Sequence, residues 1–273
     1  YRALIAGGVT LKRVVPVPDP WNTPDLIAQR AVFAAQFPKL AFERNVVYID
    51  ESQFHLSRHF GQGREVEGKS PLAPIANFRT KSLTLILAIN IDGVVHSKCL
   101  PTYGTNKKNK RGTNSNDFND FLLNLSTKLG TEGAVFVMDN ASIHGDKAVL
   151  DTFTHMKRHL SIDAMFLPPH SPFLNPVEYA FHLLKEAISK LRFQATIEQL
   201  QLEIKTELAN FKRVHAQGCF NIAGRFRGLS EYGLPFKGKL LSPELQLPND
   251  HPINCTAMQT GTSSTFDVDH IPI

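Results

Sequence analysis

The chain has 273 residues, 42% hydrophobic and 20% charged, enough for one full core with appendages and unlike a disordered or fibrous class. Its 30 Lys and Arg against 25 Asp and Glu leave a formal charge of +5, a modest excess that favours an anionic partner. Cys99, Cys219 and Cys255 form no CxxC pair, no apolar run reaches the roughly 18 residues of a membrane span, and no secretory leader is present, so an intracellular, reducing location without a membrane partner is expected, and secretion is not.

From Tyr1 the sequence opens on an apolar and basic piece in which GVTLKRV reads as the last helix of a preceding domain or as a strand. Pro16, Pro18 and Pro20 then favour an extended path, so residues 1–22 are expected to be a linker. Thr23, Pro24 and Asp25 supply an N-cap, a first-position proline and a first-turn acid for a helix to about Leu40, with Ile27, Ala31, Ala34 and Ala35 on its inner face. VVYI predicts a buried strand over 45–50 that ends at Asp50. Residues 61–76 read as a loop or a loose hairpin, and Ser82–Ile91 and Val94–Leu100 as strands joined by a type I′ turn at Asp92-Gly93, which accounts for Asp92 without chemistry.

Lys107, Lys108, Lys110 and Arg111 crowd the next loop, where such a run is either simply solvated or placed to meet phosphates. Asn116 or Ser115 caps a helix whose inward face carries Phe118, Phe121, Leu122 and Leu125. Ala134–Met138 is an all-apolar strand ending at Asp139, followed by a helix over Lys147–His159 and a strand over Ile162–Leu167. LPPHSPFLNP then brings four prolines to a helix over Pro176–Leu191, striped by Val177, Ala180, Phe181, Leu184, Ile188 and Leu191. Thr196 caps one more helix to about Val214, and residues 241–273 are expected to form a poorly ordered tail. This order predicts an α/β domain over 23–240, a mixed sheet with helices on both faces.

Asp50, Asp139 and Glu178 each stand at the predicted end of a regular element. Magnesium takes oxygen ligands and keeps several waters, and two such ions about 3.5–4 Å apart stabilise both the entering and the leaving oxygen of a phosphodiester. Short, rigidly placed carboxylates meet that demand. Each acid also has a plainer reading: Asp50 as a strand end, Asp139 with Asn140 as a turn pair, and Glu178 as the capping-box partner of Asn175. Glu51 points by strand alternation to the opposite side. Carboxylates gathered without a cation repel one another, so the site's geometry should depend on the ions. His144 and His182 stand where they could reach a phosphate or a bound water, or are surface histidines, and Ser142 lacks a GxSxG elbow. The pairs His55/His59 and His155/His159 lack the further ligands zinc requires.

YIDES around Asp50, MDNASIH around Asp139 and LPPHSPFLNPVE leading to Glu178 resemble the mariner and Tc superfamily of cut-and-paste DNA transposases, and GTNSNDFNDFLLNL looks like that family's helix before the second aspartate. The likeness covers residues 23–215. It implies an RNase H-like mixed β-sheet carrying the DDE triad Asp50, Asp139 and Glu178, two Mg²⁺ (or Mn²⁺) ions, and strand cleavage and transfer on DNA. Lys107, Lys108, Lys110, Arg111 and His144 are the residues expected to contact DNA, and the likeness is compatible with a nuclear site of action in a eukaryotic host and with a homodimer. The sequence departs from the family at Phe173, where an acid is usual, and in a longer stretch between Asp139 and Glu178. Of the family's paired helix-turn-helix modules it carries at most a remnant, within residues 1–22. An inactive or domesticated copy serving as a DNA-binding scaffold is the alternative. A glycosidase built on two of the acids finds no support in aromatic placement, since Trp21, the one tryptophan, lies in the linker.

Overall fold

Short runs rich in β-branched and aromatic residues become the strands of one sheet, and the amphipathic segments between them cover its faces. The computed structural model describes residues 19–43, 45–56, 82–102, 113–130, 133–141, 146–190, 196–233 and 235. The GVTLKRV segment, the 61–76 loop, Lys107, Lys108, Lys110, Arg111, Ser142, His144 and the tail lie outside them. The helices are α1 (Pro24–Glu43), α2 (Ser115–Leu129), α3 (Lys147–Leu160), α4 (Pro176–Lys190), α5 (Ile197–Asn210) and α6 (Arg213–Glu231). The strands are β1 (Asn45–His55), β2 (Ser82–Asn90), β3 (Gly93–Thr102), β4 (Ala134–Met138) and β5 (Ile162–Phe166), ordered β3-β2-β1-β4-β5. The β1–β2 and β2–β3 pairs are antiparallel, whereas β1–β4 and β4–β5 are parallel, which is the mixed sheet expected.

Alternation along the strands divides the interior in two. Val47, Ile49, Ile86, Ala88, Phe136 and Met138 point towards α2 and α3, where Phe118, Phe121, Val149 and Met156 meet them. Val46, Tyr48, Leu85, Leu87, Val135 and Val137 point the other way, into a larger core shared with α1, α4, α5 and α6. Asp50 and Asp139 continue this second row, so alternation alone puts both acids on the α4 side.

Several expectations shift. The inner face of α1 is Leu26, Arg30, Phe33, Ala34 and Phe37 rather than the alanine-centred stripe, and Ala35 is exposed. Two phenylalanines bury far more apolar area than alanines, and their spacing sets the rotation. Arg30 follows them inside because its Nη1 donates to the Trp21 carbonyl at 2.6 Å and its guanidinium sits 5.8 Å from the centre of the Phe173 ring.

The β2–β3 turn is Ile91-Asp92, one residue earlier than expected, and positive φ among the described non-glycine residues occurs only at Ser161 and His170, so it is not type I′. The Asn90 side chain closes it instead, accepting from the amides of Asp92 and Gly93 at 3.0 and 3.2 Å. Gly93, with φ 141°, takes the conformation the exit demands. The α2 cap is Asn114, which accepts from Asp117 N at 2.9 Å. The helix begun at Thr196 stops at Asn210, and α6 starts a fresh one after Phe211 and Lys212.

Candidate active site

The parallel pairing of β1 with β4 aligns Asn45 with Ala134 and Tyr48 with Val137. Carried two residues further, the same register sets Asp50 level with Asp139. Yet β1 does not end at Asp50, as the sequence suggested. It runs on to His55 because β2 keeps pairing with it, Asp50 opposite Leu87 and His55 opposite Ser82. Asp50 is therefore a mid-strand residue at the step where its parallel neighbour stops. Asp139 stands just past the end of β4, exposed, its Oδ1 accepting from Ala141 N at 3.0 Å.

Glu178 reaches the same place from the far side of a rigid approach. Leu167 N donates to the Met138 carbonyl at 2.8 Å, extending the sheet by one bond, and Asn140 Nδ2 donates to the Leu167 carbonyl at 3.0 Å. Ser171 Oγ then donates to Pro169 O, and Tyr179 Oη to Phe173 O, at 3.0 and 2.9 Å. Phe173 is wedged between Trp21 and Phe226, with ring centroids 4.8 and 5.2 Å away. Where the resemblance led to an acid, Phe173 is thus an aromatic hub that pins the proline loop to the turn before α1 and to α6. It makes no contribution to the acid cluster.

Asn175 resolves the competition between capping and chemistry. It is 1% exposed; its Oδ1 accepts from Val177 N at 3.1 Å, while its Nδ2 donates to Asp50 Oδ2 at 2.8 Å. Its own N–H is taken by the Pro172 carbonyl at 2.8 Å, the group a capping-box glutamate would otherwise have to satisfy. Glu178 is released from that duty, and its carboxyl interacts with that of Asp50 instead. The other Asp50 oxygen, Oδ1, accepts from Glu51 N at 2.7 Å. The N-terminal end of α4, where helix dipoles favour anions, thus faces both carboxyls.

The electrostatics link all three acids. Burial raises the Asp50 pKa well above the usual aspartate value, Glu178 and Asp139 add to the rise, and the Glu51 amide opposes it. Glu178 is solvent-facing as a residue, but crowding protein around its carboxyl raises its pKa, Lys185 opposes this, and Asp139 adds to it. Asp50 and Glu178 titrate as a pair. Among the described residues no group of three or more His, Cys, Asp or Glu forms a ready metal-ligating cluster, and Asp139 acts on the pair through its charge. An all-oxygen, anionic donor set suits a hard divalent cation.

Of the acids singled out from the sequence, then, Asp50 and Glu178 come together with Asp139 near enough to act on both by charge, while Glu51 belongs to the opposite face. His182 lies one turn along α4 from Glu178, half-buried. Two contributors were not anticipated. Asn175 was legible only as a cap. Lys185, two turns from Glu178 on the same helix face, holds its ammonium 5.7 Å from the centre of the Phe54 ring; its spacing from Glu178 was the available signal. His155 and His159 lie with tilted rings, centroids 4.5 Å apart, on α3 on the far face of the sheet from the acids.

Residues 45–201 match a family model described as DDE superfamily endonuclease. No curated protein matches the sequence. A pre-cleavage Mos1 transpososome superposes with a TM-score of 0.66 at 18% identity, covering 86% of this chain and 70% of that one. The mariner Mos1 paired end complex with Mg gives 0.64 at 18%, with coverage of 86% and 70%. The catalytic domain of Mos1 mariner transposase gives 0.59 at 16%, covering 83% of this chain and all of that one, 100%. At such identities the likeness speaks for the fold, the RNase H-like sheet flanked by helices. With more than half of its length matched by the family model, the chain belongs to the DDE superfamily endonucleases.

Proposed function

We propose that this chain is the catalytic domain of a mariner-type DNA transposase and that Asp50, Asp139 and Glu178 are its metal-binding triad. The observation that carries this reading is the convergence of Asp50 and Glu178 under the field of Asp139, from three separate elements of a family endonuclease fold. Two Mg²⁺ or Mn²⁺ ions are the natural occupants, and the Mos1 complexes solved with Mn and with Mg support the choice. When bound, such a pair supplies charge stabilisation at the entering and leaving oxygens of a phosphodiester. Asn175 holds Asp50 in one orientation, Glu178 closes over it, and Lys185 places a cation beside the cluster, where a phosphate oxygen can meet it. Hydrolysis of one strand at the element's end frees a 3′-hydroxyl, which then attacks target DNA. The protein would act on transposon ends and target DNA as a homodimer, in the nucleus of a eukaryotic host. Among the described residues no helix is long and apolar enough to cross a membrane. A decayed copy retained for binding alone finds no support in a triad that is complete.

The test is nicking of a duplex carrying the element's end, with Mg²⁺ and with EDTA. The parent should cut only with the metal, and Asp139→Asn should not cut in either; equal cutting by both proteins would remove Asp139 from the chemistry. Lys107, Lys108, Lys110, Arg111 and His144 remain proposed DNA-binding residues. Replacing the four cations by alanine should lower the slope of log affinity against log salt by about 0.9 for each phosphate that is no longer neutralised. An unchanged slope would assign them to bare solvent.

A further inference from the structure

β3 is an outer strand of the sheet, and among the described residues no strand pairs with its far side. Alternate amides and carbonyls between His96 and Leu100 therefore point away from β2, open to one more strand. Lysine and proline commonly protect such edges. Here Pro101 blunts only the last step, and Lys98 is drawn aside onto α2, its Nζ donating to the Asp117 carbonyl at 3.3 Å and pairing with Asp120 at 3.8 Å. The two flanks of the edge differ. Towards α5 and α6, Val94, Val95, Leu208 and Phe211 line a cleft of about 520 Å³ whose rim holds Lys212 and Arg213. Ile91 and Val214, neighbours of the rim residues Asp92 and Arg213, are exposed apolar side chains. Towards α2 the strand meets Lys98 itself and Lys128, whose charge adds to burial in lowering the His96 pKa. Asp92 answers Arg213 at 3.1 Å and Asp120 answers Lys98, which leaves the edge more positive than negative.

An edge of this kind fits an extended peptide with apolar side chains on one face and carboxylates on the other. The sequence contains one. No Lys or Arg follows Lys239, and in residues 265–271, TFDVDHI, strand alternation would set Phe266 and Val268 on one face and Asp267 and Asp269 on the other. Reach is no obstacle: the 19 residues of α6 carry the chain about 28 Å from the Arg213 end, and residues 234–264 can span more than three times that at roughly 3.3 Å each. We propose that residues 265–271 add to the free edge of β3 as a further strand, with Phe266 and Val268 entering the cleft beside Phe211 and with Asp267 and Asp269 meeting Lys98 and Lys128. The added strand closes an edge that would otherwise be open to other chains. It stands apart from the nuclease reading, since none of these residues belongs to the acid cluster.

The experiment is hydrogen exchange by mass spectrometry on the full chain, read over residues 94–100. The parent should protect these amides about tenfold more than a variant carrying Asp267→Lys and Asp269→Lys, and added NaCl should narrow the difference. Lys98→Glu with Lys128→Glu should lose the same protection. All four substitutions together should restore it, because the charges then match again in reverse, and a merely structural role for the two lysines predicts no such recovery. Equal protection in the parent and the Asp267→Lys, Asp269→Lys variant would overturn the added strand, as would a fourfold variant whose edge stays open. Protection that grows with protein concentration would give the edge to a second copy of the chain and overturn it too.

Discussion

Asp50→Asn is expected to abolish metal-dependent nicking and, at the same time, to raise the melting temperature of the metal-free protein. The activity loss should be on the order of 10³-fold or more, because a ligand shared by the reacting centre acts with its partners as a unit. The stability gain follows from the sign of the shift. The folded pKa of Asp50 lies above its ordinary value of 3.8, first through burial and then through Glu178 and Asp139. The native state therefore binds more protons than the unfolded chain between those two values. Stability contributed by the protonated form is fully present below the unfolded value and is lost as pH rises through the folded one. At neutral pH the charged aspartate is a net cost. An isosteric amide removes it and retains an oxygen for the Glu51 amide, and the loss of the acceptor for Asn175 Nδ2 offsets only part of that relief. If the relief is on the order of 1–2 kcal/mol, thermal denaturation in EDTA should show a gain of about 2–8 °C. Added Mg²⁺ should then stabilise the parent, through preferential binding to the folded state, far more than the variant. A variant that melts at or below the parent in EDTA would mean that Asp50 is not under electrostatic stress.

Asn175→Asp should cost nearly as much activity for a different reason. Aspartate caps helices as well as asparagine does, so the bond from Val177 N survives, but the Nδ2 donor to Asp50 at 2.8 Å becomes another acceptor. A fourth carboxylate then faces the cluster from a position that is 1% exposed. Loss of a buried, charge-assisted hydrogen bond plus like-charge repulsion should destabilise the fold by about 2–4 kcal/mol at neutral pH, with partial recovery on acidification. Nicking should demand more Mg²⁺, since the cation must now hold acids that Asn175 no longer orients. Asn175→Ser, which caps but cannot reach, separates the two roles. If the serine variant were as impaired as the aspartate one, charge would not be the cause. Denaturant melts read alongside a Mg²⁺ titration of nicking decide this.

Much of the fold was legible in the sequence because local pattern and tertiary burial agree. AVFVM forms a strand with the bounds expected, and Phe118, Phe121, Leu122 and Leu125 all turn inward from α2. The stripe from Val177 to Ile188 is buried as expected. What escaped depends on partners distant in the chain. Helix α6 was hidden because Gly218, Gly224 and Gly228 weaken any helical signal. In the fold Ala216, Ala223, Gly224 and Gly228 are buried, and their small size lets α6 lie close against α1 and α4. The two aspartates and the glutamate could be named from spacing and motif. The bond from Asn175 to Asp50 could not, since it spans 125 positions and exists only once β1 and α4 are packed together. The continuation of β1 beyond Asp50 was equally invisible, for it is β2 that sustains it.

The placement of α3 on the face of the sheet opposite the acids carries a further meaning for how such proteins diversify. Segments that connect the second and third acids can gain or lose whole turns there without transmitting any movement to the carboxyl groups, provided β4, β5 and the proline strut remain in register. Spacing along the chain is then a poor measure of catalytic geometry, and a count of intervening residues sorts lineages without grading their competence.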